Sequence, residues 1–232
     1  MLQGKNLSGD IANKIKKKIM TGEYAVGSQL PNEQELSESL NVSRTTIREA
    51  VKLLVSRHIL EIERGKGTFV TALPGLSDDP FGLDFVPDQR LTPDLVAFRR
   101  IVEPDVCRLA AQKATDRQIS EMRHIVVRME QATSKVGFPP YDGVLIDLFT
   151  NYEIEYHILL YKMTHNIIFE RMSPVISKAV VISYTSTIYR EGFSFRDNTE
   201  IHRQLYLAIM DRDSELAQQI GIEHTAGFMR AL

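Results

Sequence analysis

Apolar residues along the first 72 positions fall into three helical stripes and then one alternating stretch. Ile11, Ile15 and Ile19 repeat at four-residue spacing behind Ser8, which can cap a helix ending near Thr21-Gly22. A loop with Gly27 and Pro31 leads to Asn32-Glu33-Gln34-Glu35, where Asn32 can cap a second, short helix and Glu35 can complete a capping box. This helix buries Leu36 and Leu40, and Asn41 tolerates the left-handed conformation that stops it. Ser43 then caps a third helix within Val42 to Leu54. It sets Ile47, Ala50, Val51 and Leu54 on one face and Arg44, Thr45, Arg48 and Lys52 on the other. Two helices joined by so tight a turn predict a helix-turn-helix. Ile59 to Glu63 alternates like a strand, Arg64-Gly65-Lys66-Gly67 turns, and Thr68-Phe69-Val70 returns, which predicts a β-hairpin wing. The same glycines do not make a phosphate-binding P-loop, because the upstream glycine of that motif is missing and no helix follows.

From Leu73 to Asp94 the periodicity is lost among Pro74, Gly75, Asp78-Asp79-Pro80, Gly82 and Pro87. We expect a DNA-binding domain over 1–72, a linker over 73–92 and an all-helical domain over 93–232. Thr92 as cap and Pro93 at the first helical position would open that domain. The pattern predicts helices over 93–113, 116–134, 143–164, 166–190, 196–211 and 213–231, with Pro174 breaking or kinking the fourth. The fold class is mainly α: a winged helix-turn-helix with a small β-hairpin wing, then an antiparallel α-helical bundle.

Charge sharpens this division. The whole chain of 232 residues has net charge −2, but residues 1–72 carry 11 Lys+Arg against 8 Asp+Glu, net +3, and the remainder is net −5. The positive part holds the basic helix face. Cys107, the single cysteine, excludes an internal disulfide framework. No run approaches the ~18 apolar residues of a membrane span. A soluble, cytoplasmic protein is expected.

Arg44 and Arg48 alone would read as a solvated helix face. The order of capped helix, tight turn, basic helix and basic wing makes duplex DNA the expected partner. Ser43, Thr45, Thr46 and the arginines crowd a helix N-terminus, where the dipole favours phosphate. Arg64 and Lys66 flank Gly65, where backbone can approach DNA closely.

In the helical part, polar residues lie inside apolar stripes. Glu153 and His157 share one with Phe149 and Leu160, His202 lies among Leu205, Tyr206 and Ile209, and His224 lies with Ile220 and Phe228. One carboxylate and three imidazoles facing a common core suit zinc, nickel or manganese. Hydrogen-bonded core histidines and a buried Glu153/His157 ion pair fit the same spacing. His124, with Ser120, Glu121 and Arg128 as helical neighbours, is expected to be exposed. Arg99 lies on an apolar face with Leu95, Val102 and Val106, and Glu103 follows one turn later. It reads either as an intrahelical ion pair or as a clamp for an effector carboxylate, with Tyr156, Tyr206, Arg190 and Asn198 as candidate lining of the same cavity.

Gly27-Ser28-Gln29-Leu30-Pro31-Asn32-Glu33, Val42-Ser43-Arg44-Thr45-Thr46-Ile47-Arg48-Glu49-Ala50 and Gly65-Lys66-Gly67-Thr68-Phe69-Val70 resemble the signature of the GntR family of bacterial transcription regulators. The resemblance implies that Arg44 and Arg48 reach guanine edges or nearby phosphates, with Ser43, Thr45 and Thr46 on the backbone and Gly65 at the wing tip. Three positions depart: Asn32 stands where serine is usual, His58 where glycine is usual, and Gln34 where some members carry a basic residue. The helical part resembles the FCD domain of the FadR-type subfamily. Its metal ligands are an acidic residue four before a histidine and two later histidines, a pattern matched by Glu153, His157, His202 and His224, with glutamate where aspartate is usual. The resemblance implies a homodimeric regulator, most simply a repressor. It would read a palindromic operator and sense a small hydroxy or sugar acid held between the metal and Arg99. Two rivals stand beside it: a metal-dependent enzyme fused to a DNA-binding module, and a regulator whose metal is purely structural.

Overall fold

The computed structural model describes residues 7–134, 142–187 and 194–227. The chain divides into two compact units between Asp78 and Asp79.

In the first unit, α1 (Leu7–Met20), α2 (Glu33–Leu40) and α3 (Arg44–Val55) are followed by β1 (Leu60–Glu63) and β2 (Gly67–Val70). Helix α1 begins at Leu7, so Ser8 lies inside the first turn instead of preceding it. The caps of the next two helices form as their residue types predict. Asn32 Oδ1 accepts from Gln34 N and Glu35 N while Glu35 Oε2 accepts from Asn32 N, and Ser43 Oγ accepts from Thr46 N. Asn41 turns left-handed at φ 52°, and Val42 N donates to Ser37 O. The apolar face of α3 (Ile47, Ala50, Val51, Leu54) is buried against Ile11, Ile15 and Leu36. Full burial of such aliphatic side chains stabilises by about 1.5 to 3 kcal/mol each. The strands pair antiparallel with Leu60 opposite Val70 and Glu63 opposite Gly67. Gln29 bridges to Phe69 beside them, and its side-chain amide donates to Lys66 O. A Cβ at Gly67 would meet Gln29 Nε2 at 2.4 Å, and φ there is 134°, so only glycine lets the wing close over Gln29.

The second unit opens with a 3-10 turn at Leu83–Phe85, held because the Asp79 carboxylate accepts from Leu83 N and Asp84 N. Helices α4 (Asp88–Lys113), α5 (Asp116–Thr133), α6 (Gly143–Met163), α7 (Ile167–Arg171), α8 (Ser173–Thr187), α9 (Phe195–Met210) and α10 (Ser214–Gly227) follow. Helix α4 starts at Asp88, a turn before the expected Thr92/Pro93 start, with Pro87 O accepting from Arg90 N and Leu91 N. The extra turn buries Leu91 beside Leu95, Val175 and Ala179, and this apolar contact outweighs the one backbone bond that Pro93 forfeits. Leu83 and Val86 pack on the same cluster, so part of the aperiodic stretch belongs to the helical unit. The expected 166–190 helix is two helices, parted at Met172 just before Pro174. The long helices form a bundle in which α4 lies against α10, α6 and α8, and α5 lies against α6 and α9. At Gly221 a Cβ would stand 2.9 Å from Cys107 Sγ and 3.1 Å from Pro104 Cα, so this glycine lets α10 approach α4 closely.

His58, just past α3, sits at φ 52°, where a side chain costs about 1 to 2 kcal/mol and glycine costs nothing sterically. After the larger unfolded-state entropy of glycine is subtracted, His58→Gly should stabilise the first unit by about 0.5 to 1 kcal/mol in urea unfolding. Asn32→Ala, which removes the acceptor of two α2 amides, should destabilise it by about 1 kcal/mol in the same assay.

Candidate metal centre and DNA-binding surface

The apolar register of α6 buries Phe149, Tyr156 and Leu160 and turns Glu153 and His157 inward with them. The packing of α9 and α10 brings His202 and His224 to the same place. All four residues are 7% exposed or less, and their ligand atoms lie within 4.8 Å of one another. Donors about 2.0 to 2.1 Å from one ion are about 3.4 Å apart in a tetrahedral site and about 4.2 Å apart when they face each other across it, so the ligands have to draw in by roughly 0.5 to 1.5 Å around an ion.

The donor chemistry fits a divalent ion. His202 Nδ1 donates to Asn198 O at 2.7 Å, which leaves Nε2 as the nitrogen a metal would take in place of a proton. That Nε2 is buried 3.2 Å from Glu153 Oε2, off the line of a hydrogen bond. Asn198 Nδ2 donates to Glu153 Oε1 at 2.7 Å, so one carboxylate oxygen is anchored and the other faces the imidazoles. Tyr156, read as an effector contact, donates its hydroxyl to His202 O at 3.0 Å and stacks edge-on against the His202 ring. Burial pushes His224 down to about 3, against the pull of Glu103, and lowers His157 as well, so both are neutral donors at pH 7. Burial also disfavours the Glu153 carboxylate, yet the His202 and His157 imidazoles override it and hold Glu153 well below the usual range. His202 moves up because the attraction of Glu153 exceeds its own burial penalty.

Arg99 is 1% exposed and forms a two-pronged pair with Glu103, Nε to Oε1 at 2.6 Å and Nη2 to Oε2 at 3.1 Å. The same Nη2 lies 3.1 Å from His157 Nε2. Of the two readings of Arg99, the intrahelical pair is the one seen, and it is buried beside the four candidate ligands. Glu103 is the residue the sequence reading undervalued. It was seen only as a partner for Arg99, although a glutamate between Val102 and Val106 in an apolar stripe is itself the signal of a buried polar role. Tyr161, four residues beyond His157, is a second omission, since its buried hydroxyl makes no hydrogen bond. Tyr206 is at the edge of the core, its hydroxyl toward Met210 Sδ at 3.4 Å, and Arg190 lies outside the described residues. His124 is exposed, as its helical neighbours suggest.

On the first unit, Arg44, Thr45, Arg64, Gly65 and Lys66 are exposed. Ser43 Oγ is occupied by its cap, and Thr46 Oγ1 lies 2.9 Å from it. Arg48 is held by both oxygens of Glu33, at 3.1 and 2.7 Å, and Lys66 pairs with Glu63 at 2.8 Å. Glu33, the first residue of α2, thus covers Arg48. Among the described residues, no helix is long and apolar enough to cross a membrane.

Residues 7–70 match the gntR family of bacterial regulatory proteins, and residues 94–227 match the FCD domain. The galactonate operon transcriptional repressor of Escherichia coli (strain K12) is 27% identical over 232 residues, spanning 98% of this chain and 97% of that protein. The Glc operon transcriptional activator of the same strain is 24% identical over 221 residues, 92% of this chain and 84% of that one. Among solved structures, Streptococcus agalactiae GntR superposes with a TM-score of 0.76 at 32% identity, covering 96% of this chain and 99% of its own. The winged helix-turn-helix, the helical domain behind it and these likenesses agree: the chain belongs to the GntR family of transcription regulators, carries an FCD domain, and is a DNA-binding regulator and not an enzyme.

Proposed function

We propose that this regulator is a cytoplasmic, homodimeric repressor. A divalent transition metal held by Glu153, His157, His202 and His224 would form its sensor site, and a small hydroxy or sugar acid would be the signal. The observation that carries this reading is the buried convergence of one carboxylate and three imidazoles, with His202 Nδ1 spent on Asn198 O and Nε2 turned toward Glu153. The full-length likeness to a repressor named for the galactonate operon supports a sugar acid as the effector. A bound ion would supply Lewis-acid positions to an acid's carboxylate and hydroxyl oxygens. Arg99 is the chain's own cation beside that position, and to clamp the carboxylate it has to exchange Glu103 for the effector.

On DNA, Arg44 and Thr45 offer side chains to the major groove, Ser43 and Thr46 place the helix N-terminus against phosphate, and Arg64, Gly65 and Lys66 carry the wing. Arg48 joins them by trading Glu33 for a phosphate or a guanine edge. A two-fold dimer presents one α3 to each half of a palindromic operator. An effector alters operator affinity only through its preference for the DNA-incompetent arrangement, and a hundredfold preference supplies about 2.7 kcal/mol.

The test is operator binding by the full chain, metal-stripped or loaded with zinc, nickel or manganese, and titrated with galactonate and other hydroxy and sugar acids. At least one acid should weaken operator binding tenfold or more, only with metal present. Glu153→Ala should abolish the response while leaving DNA binding by the metal-free protein intact. Unchanged operator affinity with every acid that binds the helical domain would overturn the sensor and leave the metal structural. In the same assay, Arg44→Ala should cost about 1 to 3 kcal/mol and relax preference at one base pair; equal weakening on all sequences would make it a phosphate anchor.

A further inference from the structure

The rings of the cluster turn the same nitrogen outward. His202 Nδ1 faces Asn198 O, and because a carbonyl only accepts, the proton is on that nitrogen. Arg99 Nη2 is 3.1 Å from His157 Nε2, and because a guanidinium only donates, Nε2 holds the lone pair and Nδ1 the proton. That Nδ1 faces Glu103 Oε1 at 3.6 Å, and His224 Nδ1 faces the other oxygen, Oε2, also at 3.6 Å. One carboxylate, itself 1% exposed, thus meets two imidazoles with one oxygen each. At 3.6 Å these contacts are electrostatic and not yet hydrogen bonds. His157 Nε2 has a carboxylate of its own, Glu153 Oε2 at 3.7 Å, but Arg99 Nη2 at 3.1 Å is the nearer group and leaves that nitrogen the acceptor. A carboxylate attracts an N–H and repels a ring lone pair, and little solvent screens the difference in so dry a place. Arg99 pairs with both oxygens of Glu103 and keeps it ionised for this task.

Resting on the metal reading above, we propose that Glu103 is a positioning residue of the centre. It orients His157 and His224 as Nδ1–H tautomers, so that Nε2 is the nitrogen each ring can offer a metal, His157's in exchange for its hydrogen bond from Arg99 Nη2. It touches no ligand position itself. Its effect is to spare an incoming ion the cost of turning two rings or moving two protons, the role that outer carboxylates play toward metal-bound histidine. Asn198 O does the same for His202, so all three imidazoles are pre-set from α4 and α9.

An unconstrained neutral imidazole in water favours the Nε2–H form, so the tautomer is a specific readout. Long-range 1H–15N correlation spectra of the metal-stripped full-length protein, with 15N-labelled histidine at pH 8, should report Nδ1–H for His157 and His224. Glu103→Gln combined with Arg99→Gln strands no buried charge. Compared with the wild type, it should return at least one of the two rings to Nε2–H. It should also lower zinc affinity roughly 10- to 100-fold in competition with a chromophoric chelator. Nε2–H forms for both rings in the wild type would overturn the proposal, as would a folded double variant with zinc affinity within twofold of the wild type. If the double variant does not fold, the wild-type spectrum decides. A wild type that shows the Nδ1–H forms yet binds neither zinc, nickel nor manganese overturns the metal reading, and with it the purpose assigned to Glu103.

Discussion

Ionised groups in a dry helical core persist only when they compensate one another, and the second unit is organised around that constraint. Arg99, Glu103 and Glu153 are each 3% exposed or less. Withdrawing any one of them from water costs several kcal/mol, so each has to find a partner at the distance where Coulomb attraction returns it. Arg99 and Glu103 do so one turn apart on α4, and Glu153 does so with His202 and Asn198 from α9. The packing then has little freedom. Tyr156 ties α6 to α9 through its hydroxyl, and Phe149 meets Phe195 at 4.4 Å beside the cluster. Gly221 lets α10 come near enough to α4 for His224 to face Glu103.

The first unit has the opposite economy. Its core is apolar throughout, from Ile11 and Leu36 to Ile47, Leu54 and Val70, and its charges stay in water. The cations offered to DNA are held loosely: Arg48 by Glu33 and Lys66 by Glu63, both exposed pairs that a phosphate can replace. The two units divide the work by dielectric. Exposed charges can exchange partners quickly with DNA, whereas the buried cluster responds only to a ligand able to replace the charges and hydrogen bonds already there.

Much of this was legible in the chain. The caps at Asn32 and Ser43, the left-handed stop at Asn41 and the buried face of α3 follow from local chemistry, and all form as expected. So does the division at Pro174, because a proline's missing amide is a local fact. Long-range packing defeated local rules at Pro93, where burial of Leu91 and Leu95 carried α4 a turn further upstream than its proline suggested. Ser8 is not a cap, since α1 is already helical at Leu7.

The four candidate ligands could be named from residue type and helical phase, because an inward-facing polar residue is visible in any amphipathic pattern. Their partners could not. That Glu103 serves two imidazoles, that Tyr156 is spent on the backbone of His202, and that Arg48 rests on Glu33 all depend on how one helix is packed against another. Sequence by itself determined which faces are apolar, where the capped helices α2 and α3 start, and which residues carry the candidate chemistry, since those are properties of neighbours along the backbone. Which lone pair points at which acceptor was decided only by tertiary structure, because the orientation of a buried ring is set by whatever packing brings against both of its sides.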